Sequence, residues 1–370
     1  MDGWYFSRRD LADQYFGLLD LGISSAFSIV APRRKGKTLF VLQDVASQAQ
    51  ERGYLPVYAS LWQNINAPHE GVILALEDAV QNLEKGSALA RIFKAKIKKT
   101  AVANDLLGRV EVEFADNPVK PGSKDLIYLD ELLSRLEIAA GKKTVLLLID
   151  EVQHLATAKS FEPLAHALRT LLDKRQGRVK SLFTGSSRHY LDLLFNESSS
   201  PFYHFVDQIP FPDLDGRFVD YLRDKLANEY RVHVSAGVLN RVFQQLDHSP
   251  YWMMKVVAQM ITAKATAAEA AGYVFQLMEA AEGYDRIERG LKPIDRLVFL
   301  GVCAGDNLFS KDFMARIGQQ TAVKGAPSNV QRSVQRLIDA QLISQHRKGI
   351  YKLEKPGFKK FLLGLHRAAD

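Results

Sequence analysis

Two kinds of apolar spacing divide this chain of 370 residues. As far as Pro210, strand-length apolar runs at 26–30, 55–62, 144–149, 179–184 and 206–210 alternate with stretches whose apolar side chains recur every three or four residues. That recurrence puts Leu11, Tyr15, Leu18 and Leu19 on one helical face and Val72, Ile73, Leu76 and Val80 on another. Leu126, Leu129, Leu132, Leu133 and Leu136 form a third. Strands and helices in regular alternation predict an α/β fold, a parallel sheet with helices on both faces. The run 144–149 is the most continuously apolar, as a central strand buried on both sides requires. Residues 85–123 interrupt the alternation and read as an insertion. They carry a basic run over 91–99, a strand-like alternation over 109–114, and turn residues at Asn117-Pro118 and Pro121-Gly122.

Beyond residue 213 only the helical spacing remains, with Phe218, Tyr221 and Leu222 on one face and Val238, Val242, Phe243 and Leu246 on the next. Trp252, Met253, Met254, Val256 and Val257 belong to a third apolar helix, so a small bundle is expected. From Leu291 the pattern changes again. Three helices are expected, around 294–300, 311–317 and 328–340, the last capped by Ser328. A strand, a three-residue turn ending in Gly349 and a second strand follow, and three helices with a hairpin make a winged helix. The expected divisions are a core over 1–210, a helical lid over 211–288 and a winged-helix domain over 289–370.

An apolar fraction of 47% is ample for several cores. The single cysteine, Cys303, excludes an internal disulfide and a thiolate-rich metal site. No basic, then apolar, leader opens the sequence, and no apolar run is long enough to span a bilayer, so a cytoplasmic protein without membrane contact is expected. The net charge is +7, and residues 293–370, with 13 Lys and Arg against six Asp and Glu, match that excess alone. The basic end of the chain therefore points to a polyanion.

Chemistry concentrates where the apolar runs end. Residues 31–38, Ala-Pro-Arg-Arg-Lys-Gly-Lys-Thr, follow the first strand and open a helix, the context of a phosphate-binding loop. Backbone N–H groups of Arg33, Arg34, Lys35, Gly36, Lys37, Thr38 and Leu39 would face phosphate oxygens. Lys37 would reach the β- and γ-phosphates, and Thr38 would hold Mg²⁺. Ala31 departs from the usual G-x-x-x-x-G-K-[ST], which begins with glycine, and it fits only if its φ is negative or the strain is tolerated. The central run 144–149 ends in Asp150-Glu151: Asp150 suits the Mg²⁺ shell and Glu151 suits activation of water. The run 179–184 leads into Gly185-Ser186-Ser187-Arg188, where Ser186, Ser187 or Arg188 could sense a γ-phosphate. Near the start, an aromatic residue or Arg9 could flank an adenine ring; the plainer reading is a helix packed on the core. On the third C-terminal helix, Arg332, Gln335 and Arg336 suit base-edge readout, and Arg347 and Lys348 at the wing tip suit phosphate contacts.

In order and spacing, several motifs resemble the archaeal-type ATPases. These are Arg9-Asp10, Pro32-Arg33-Arg34 before Gly36-Lys37-Thr38, Ile149-Asp150-Glu151, and Thr184 to Arg188 ahead of Ser200-Pro201-Phe202-Tyr203. That family belongs to the STAND class of P-loop NTPases, close to AAA+ proteins and origin-recognition initiator ATPases. The resemblance covers most of residues 5–370. It implies an AAA+-like core, a helical lid, a winged helix, and ATP with Mg²⁺ as ligands. It assigns the arginine after the fourth core strand, Arg188, to the nucleotide. It also places Pro250 against the base, although His248-Ser249-Pro250 lacks the glycine of the family's Gly-x-Pro element. The implied activity is an ATPase switch, slowed by Ala31, whose nucleotide state controls DNA or partner binding. Two other readings fit the same residues: a module with a structural, barely hydrolysed ATP, and a winged helix that docks protein. A homo-oligomer is compatible too, with Arg169, Arg175 and Arg178 as candidates for trans-acting arginines and solvated surface charge as their plainer reading.

Overall fold

The computed structural model describes residues 2–84, 115–347 and 349–364. The basic run 91–99, the alternation 109–114 and Lys348 lie outside these residues. The chain forms two compact units, Met1–Pro212 and Asp213–Asp370.

The first unit is built on a five-stranded parallel sheet in the order β2-β3-β4-β1-β5. Its strands are β1 (Ala26–Val30), β2 (Tyr54–Ser60), β3 (Thr144–Asp150), β4 (Val179–Gly185) and β5 (Asp207–Ile209). Among the described residues, seven helices and two helical turns, with other short pieces, surround it. They are α1 (Arg9–Asp20), α2 (Lys37–Phe40), a π-helical turn over Val41–Val45, α3 (Ala46–Glu51) and α4 (Pro68–Glu84), then α5 (Ser123–Ala140), a 3-10 turn over Val152–Ala156, α6 (Glu162–Lys174) and α7 (Arg188–Phe195).

The apolar run of β3 is explained by its two faces. Val145, Leu147 and Ile149 enter a core shared with Val72 and Leu76 of α4, Leu129 and Leu133 of α5, and Leu164 and Leu168 of α6. Leu146 and Leu148 enter the opposite core, with Tyr15, Phe16 and Leu19 of α1 and Phe40 of α2. Each such side chain contributes about 1.5–3 kcal/mol by leaving water. The register aligns the chemically important strand ends: Val30 lies opposite Gly185, and Ser60 opposite Asp150. The loop after β1, the acids after β3 and the polar residues after β4 thus emerge on one edge of the sheet.

The second unit begins with four helices, α8 (Gly216–Tyr230), α9 (Ala236–Gln245), α10 (Pro250–Thr262) and α11 (Ala267–Glu282). Asp215, Ser235, Ser249 and Thr266 cap them by accepting from first-turn amides. Next come α12 (Tyr284–Gly290), α13 (Pro293–Ala304), α14 (Lys311–Gln320), α15 (Pro327–Asp339), the antiparallel pair β6 (Ile343–Arg347) and β7 (Ile350–Leu353), and α16 (Pro356–Leu362). Gly349 has φ 77°, the left-handed conformation expected of the turn between the strands. The boundary expected at 288 falls inside α12, whose Tyr284 joins the core of Val298, Phe313, Val334 and Phe358. Helix α15 starts one residue earlier than expected, with Ala326 and not Ser328 in the N-cap position and no side-chain cap. Pro327 explains the shift, because a proline in the first turn has no amide to satisfy and a φ already suited to a helix.

Candidate nucleotide-binding site

Ala31 extends the pairing of β1 by one residue, donating its amide to the Gly185 carbonyl at 3.3 Å. Ala31 is not among the described residues with positive φ, so a methyl group is tolerated where glycine is usual. The left-handed positions come later, at Arg34 (φ 64°) and Gly36 (φ 85°), and they curl the loop so that α2 begins at Lys37. Such a curl directs successive amides to one concave side, in line with a helix N-terminus. Lys37 is only 5% exposed, and its Nζ donates to the carbonyls of Ala31 at 2.6 Å and Pro32 at 3.0 Å. The ammonium therefore lies inside the loop. The Arg33 guanidinium lies over the Trp62 ring, 4.7 Å from its centre.

Asp150, 4% exposed, is the hub of the site. Its Oδ2 accepts from Thr38 Oγ1 at 2.7 Å and from the Tyr58 hydroxyl at 3.0 Å, while its Oδ1 accepts from Thr184 Oγ1 and from the Glu151 amide at 3.1 Å. Strand order accounts for this. Strand β4 stands between β1 and β3, so Thr184 at its end bridges the phosphate loop side and the acid pair, and Tyr58 reaches in from β2 on the other flank. Burial holds the Tyr58 phenol well above its ordinary pKa, and the Asp150 charge adds to this, so it serves as a donor. Thr38 and Asp150 supply a hydroxyl and a carboxylate in hydrogen-bond contact. These are hard oxygen donors of the number Mg²⁺ takes from a protein when phosphates and waters complete its shell, so the residues present fit that ion.

Glu151 has φ 58°, a left-handed conformation unusual for a residue with a side chain. Ser186 Oγ donates to its Oε2 at 3.0 Å, Gln153 Nε2 donates to the same oxygen, and Gln153 Nε2 also donates to Ser186 Oγ at 3.1 Å. Burial raises the Glu151 pKa and the neighbouring Asp150 raises it further, while Lys37 and Arg33 act in the opposite direction. A buried carboxylate with a raised proton affinity, one residue from Asp150, is suited to accept a proton from water.

The structure therefore brings Lys37, Thr38, Asp150 and Glu151 together on one sheet edge. Arg188 opens α7 from the same edge and is half-buried. Arg9 opens α1 and pairs with Glu51 of α3 in an exposed ion pair. The residues preceding it hold the N-terminal segment instead. Tyr5 hydroxyl, Ser7 Oγ and the Arg8 amide all donate to the buried Asp44 at 2.5, 2.7 and 2.7 Å, and Arg8 lies 4.3 Å over the Phe211 ring. Sequence reading missed Asp44, Tyr58, Thr184 and Gln153. Asp44 did carry a signal, an acid between Phe40, Val41 and Val45 in an otherwise apolar stripe. Thr184 and Gln153 carried a weaker one, polar residues beside strand ends that the phosphate chemistry had already marked.

In the second unit Pro250 is the first residue of α10, after the cap Ser249. On α15, Arg332 is exposed and donates to Asn329 Oδ1 and the Ser328 carbonyl, and Gln335 donates to Asp339 at 2.8 Å. Arg336 has a different occupation from the one expected: it forms an ion pair with Asp295, whose side chain is 2% exposed and also accepts from Ser333. Arg347 closes β6. Of the three arginines considered for action in trans, Arg175 is buried against Asp130 and Glu137, Arg178 donates to the carbonyls of Glu137 and Gly141, and Arg169 pairs with Asp173. No helix among the described residues is long and apolar enough to cross a membrane.

No protein-family model matches the sequence, and no curated protein matches it. Among solved structures the chain is similar to the Walker-type ATPase of Pyrococcus abyssi, with 14% identity and a TM-score of 0.63 over 97% of this chain and 96% of that one. It is similar also to the ORC2 protein of Aeropyrum pernix in its ADP form, with 15% identity and a TM-score of 0.56 over 98% and 92% of the two chains. The ADPNP-ADP complexes of that protein give 0.52 at 15% identity, over 97% and 92%. At such identities the likeness is one of fold, and the fold is that of AAA+-like P-loop ATPases.

Proposed function

We propose that this chain is an ATP-hydrolysing switch whose nucleotide state controls DNA binding through its basic winged helix. The observation that carries the reading is the convergence of Lys37, Thr38, Asp150 and Glu151 from two separate sequence segments on one edge of the sheet. In this reading the amides of residues 33–39 bind the phosphates of ATP. Lys37 exchanges its two carbonyl acceptors for β- and γ-phosphate oxygens. Thr38 and Asp150 hold Mg²⁺, which when bound neutralises charge building on the phosphates. Glu151 takes a proton from water as the water oxygen bonds to the γ-phosphorus and the bond to ADP breaks, the electron pair leaving with ADP. Arg188, opening α7 beyond β4, pairs with the γ-phosphate, and Pro250 contributes to the base site. The solved ADP and ADPNP forms of the A. pernix ORC2 protein are of the nucleotide class that these donors suit.

For DNA, the supporting observations are the exposed Arg332 and Gln335 on α15 and the positive excess of residues 293–370. Arg336 contributes by fixing α15 to α13, and Arg347 and Lys348 by contacting phosphates. Glu151→Gln tests the hydrolytic part. The variant should keep ATP affinity and lose phosphate release by about 100-fold or more; wild-type release from it would refute the role of Glu151.

A further inference from the structure

Gln153 is a buried amide that stability alone does not explain. Its side chain is 3% exposed, and its Oε1 has no hydrogen-bond partner. A buried polar atom left unpaired costs about 1–3 kcal/mol, which an apolar side chain of similar shape would avoid. Room has nevertheless been made for it. A Cβ on Gly185 would stand 2.6 Å from that Oε1 and 2.8 Å from the Leu191 methyl groups, so a larger residue at the end of β4 would shift both side chains. A buried group kept at such a cost calls for a reason.

What the amide provides is its other end. Gln153 Nε2 donates both to Glu151 Oε2 and to Ser186 Oγ, and Ser186 donates to Glu151 Oε2, so three side chains from two strand ends close a small ring. Both bonds to the carboxylate fall on Oε2, and Oε1 of Glu151 receives neither of them. We propose that Gln153, with Ser186, is a positioning residue that fixes the Glu151 carboxylate and leaves its second oxygen to meet the attacking water. This inference rests on the ATPase reading above. The ring also helps to hold Glu151 in its left-handed backbone conformation, since Gln153, two residues on, and Ser186, after β4, both fix its side chain. A base misplaced by an ångström loses rate and not substrate affinity, which separates positioning from binding.

The test uses the full chain in four forms: wild type, Glu151→Gln, Gln153→Leu and Ser186→Ala. Steady-state phosphate release with Mg²⁺-ATP is measured beside thermal melting. Gln153→Leu should lower kcat by about 10- to 100-fold with KM and melting midpoint near wild type. Ser186→Ala should lower kcat less and with the same split. Wild-type kcat in a folded Gln153→Leu overturns the inference, and so does a lost rate matched by a raised KM or a lowered midpoint. If Gln153→Leu does not fold, an unchanged kcat in Ser186→Ala overturns it instead. If Glu151→Gln itself retains full turnover, the failure belongs to the parent reading, whereas an inactive Glu151→Gln beside a fully active Gln153→Leu rejects the positioning role alone.

Discussion

Asp44 shows how a single side chain can hold a segment that has little regular structure. It lies in the π-helical turn that follows α2, where the widened backbone carries a side chain into the interior without breaking the helix that begins at the phosphate loop. Three donors from residues 5–8 meet it there. Asp44→Ala removes the acceptor and leaves the Tyr5 hydroxyl and the Arg8 amide short of a partner. The expected loss is about 2–3 kcal/mol in chemical denaturation, with residues 3–8 becoming the first site of proteolytic cleavage. An unchanged midpoint would mean that the segment is held by other contacts. The same scale marks the limit of sequence reading. That Lys37, Thr38, Asp150 and Glu151 would lie together was legible, because phosphate chemistry demands those residue types at the ends of strands. Tyr58 and Gln153 were not, because their roles depend on which strands become neighbours, and a tyrosine or glutamine near a strand has many commoner uses.

At the scale of elements, the alternation of apolar runs and helical stripes was enough to place all five strands of the sheet, and the two-sided burial of β3 agrees with its unbroken run. Strand order was not legible. It is set by long-range pairing that local periodicity does not record, and it is what brings Thr184 between the loop and the acids. In the C-terminal helices, exposure was easier to read than occupation. Arg336 sits on the face expected, yet its guanidinium is committed to Asp295. Burial by itself would raise the Asp295 pKa, but the bonds from Arg336 and Ser333 and the Lys292 amide outweigh it and hold the carboxyl below its ordinary value. A depressed carboxyl stabilises the fold above its unfolded pKa, and that contribution disappears as pH falls through the folded value. Stability of the winged helix should therefore be flat near neutrality and drop below about pH 4. Arg336→Ala should cost about 2 kcal/mol, below the full penalty of a broken buried pair because the arginine side chain is 38% exposed. A pH-dependent denaturation series on both proteins checks this, and an acid transition of unchanged depth in Arg336→Ala would contradict it.

For the whole molecule, charge and chemistry are segregated: the proposed phosphate site belongs to the first unit and the basic surplus to the end of the second. Association of duplex DNA with such a surface is driven by counterion release, so affinity should fall by about tenfold or more between low and physiological salt. Arg332→Ala should weaken binding further. Titrations at several salt concentrations test this, and salt-insensitive or absent binding would favour a protein-docking role for the winged helix.

The most direct test of the central claim is phosphate release from ATP by wild type and Lys37→Ala, each with Mg²⁺ and with the metal chelated. The account predicts turnover by the wild type that needs Mg²⁺ and disappears in Lys37→Ala. Equal release by the two proteins, or tight ATP binding by the wild type with no release in either condition, would contradict it.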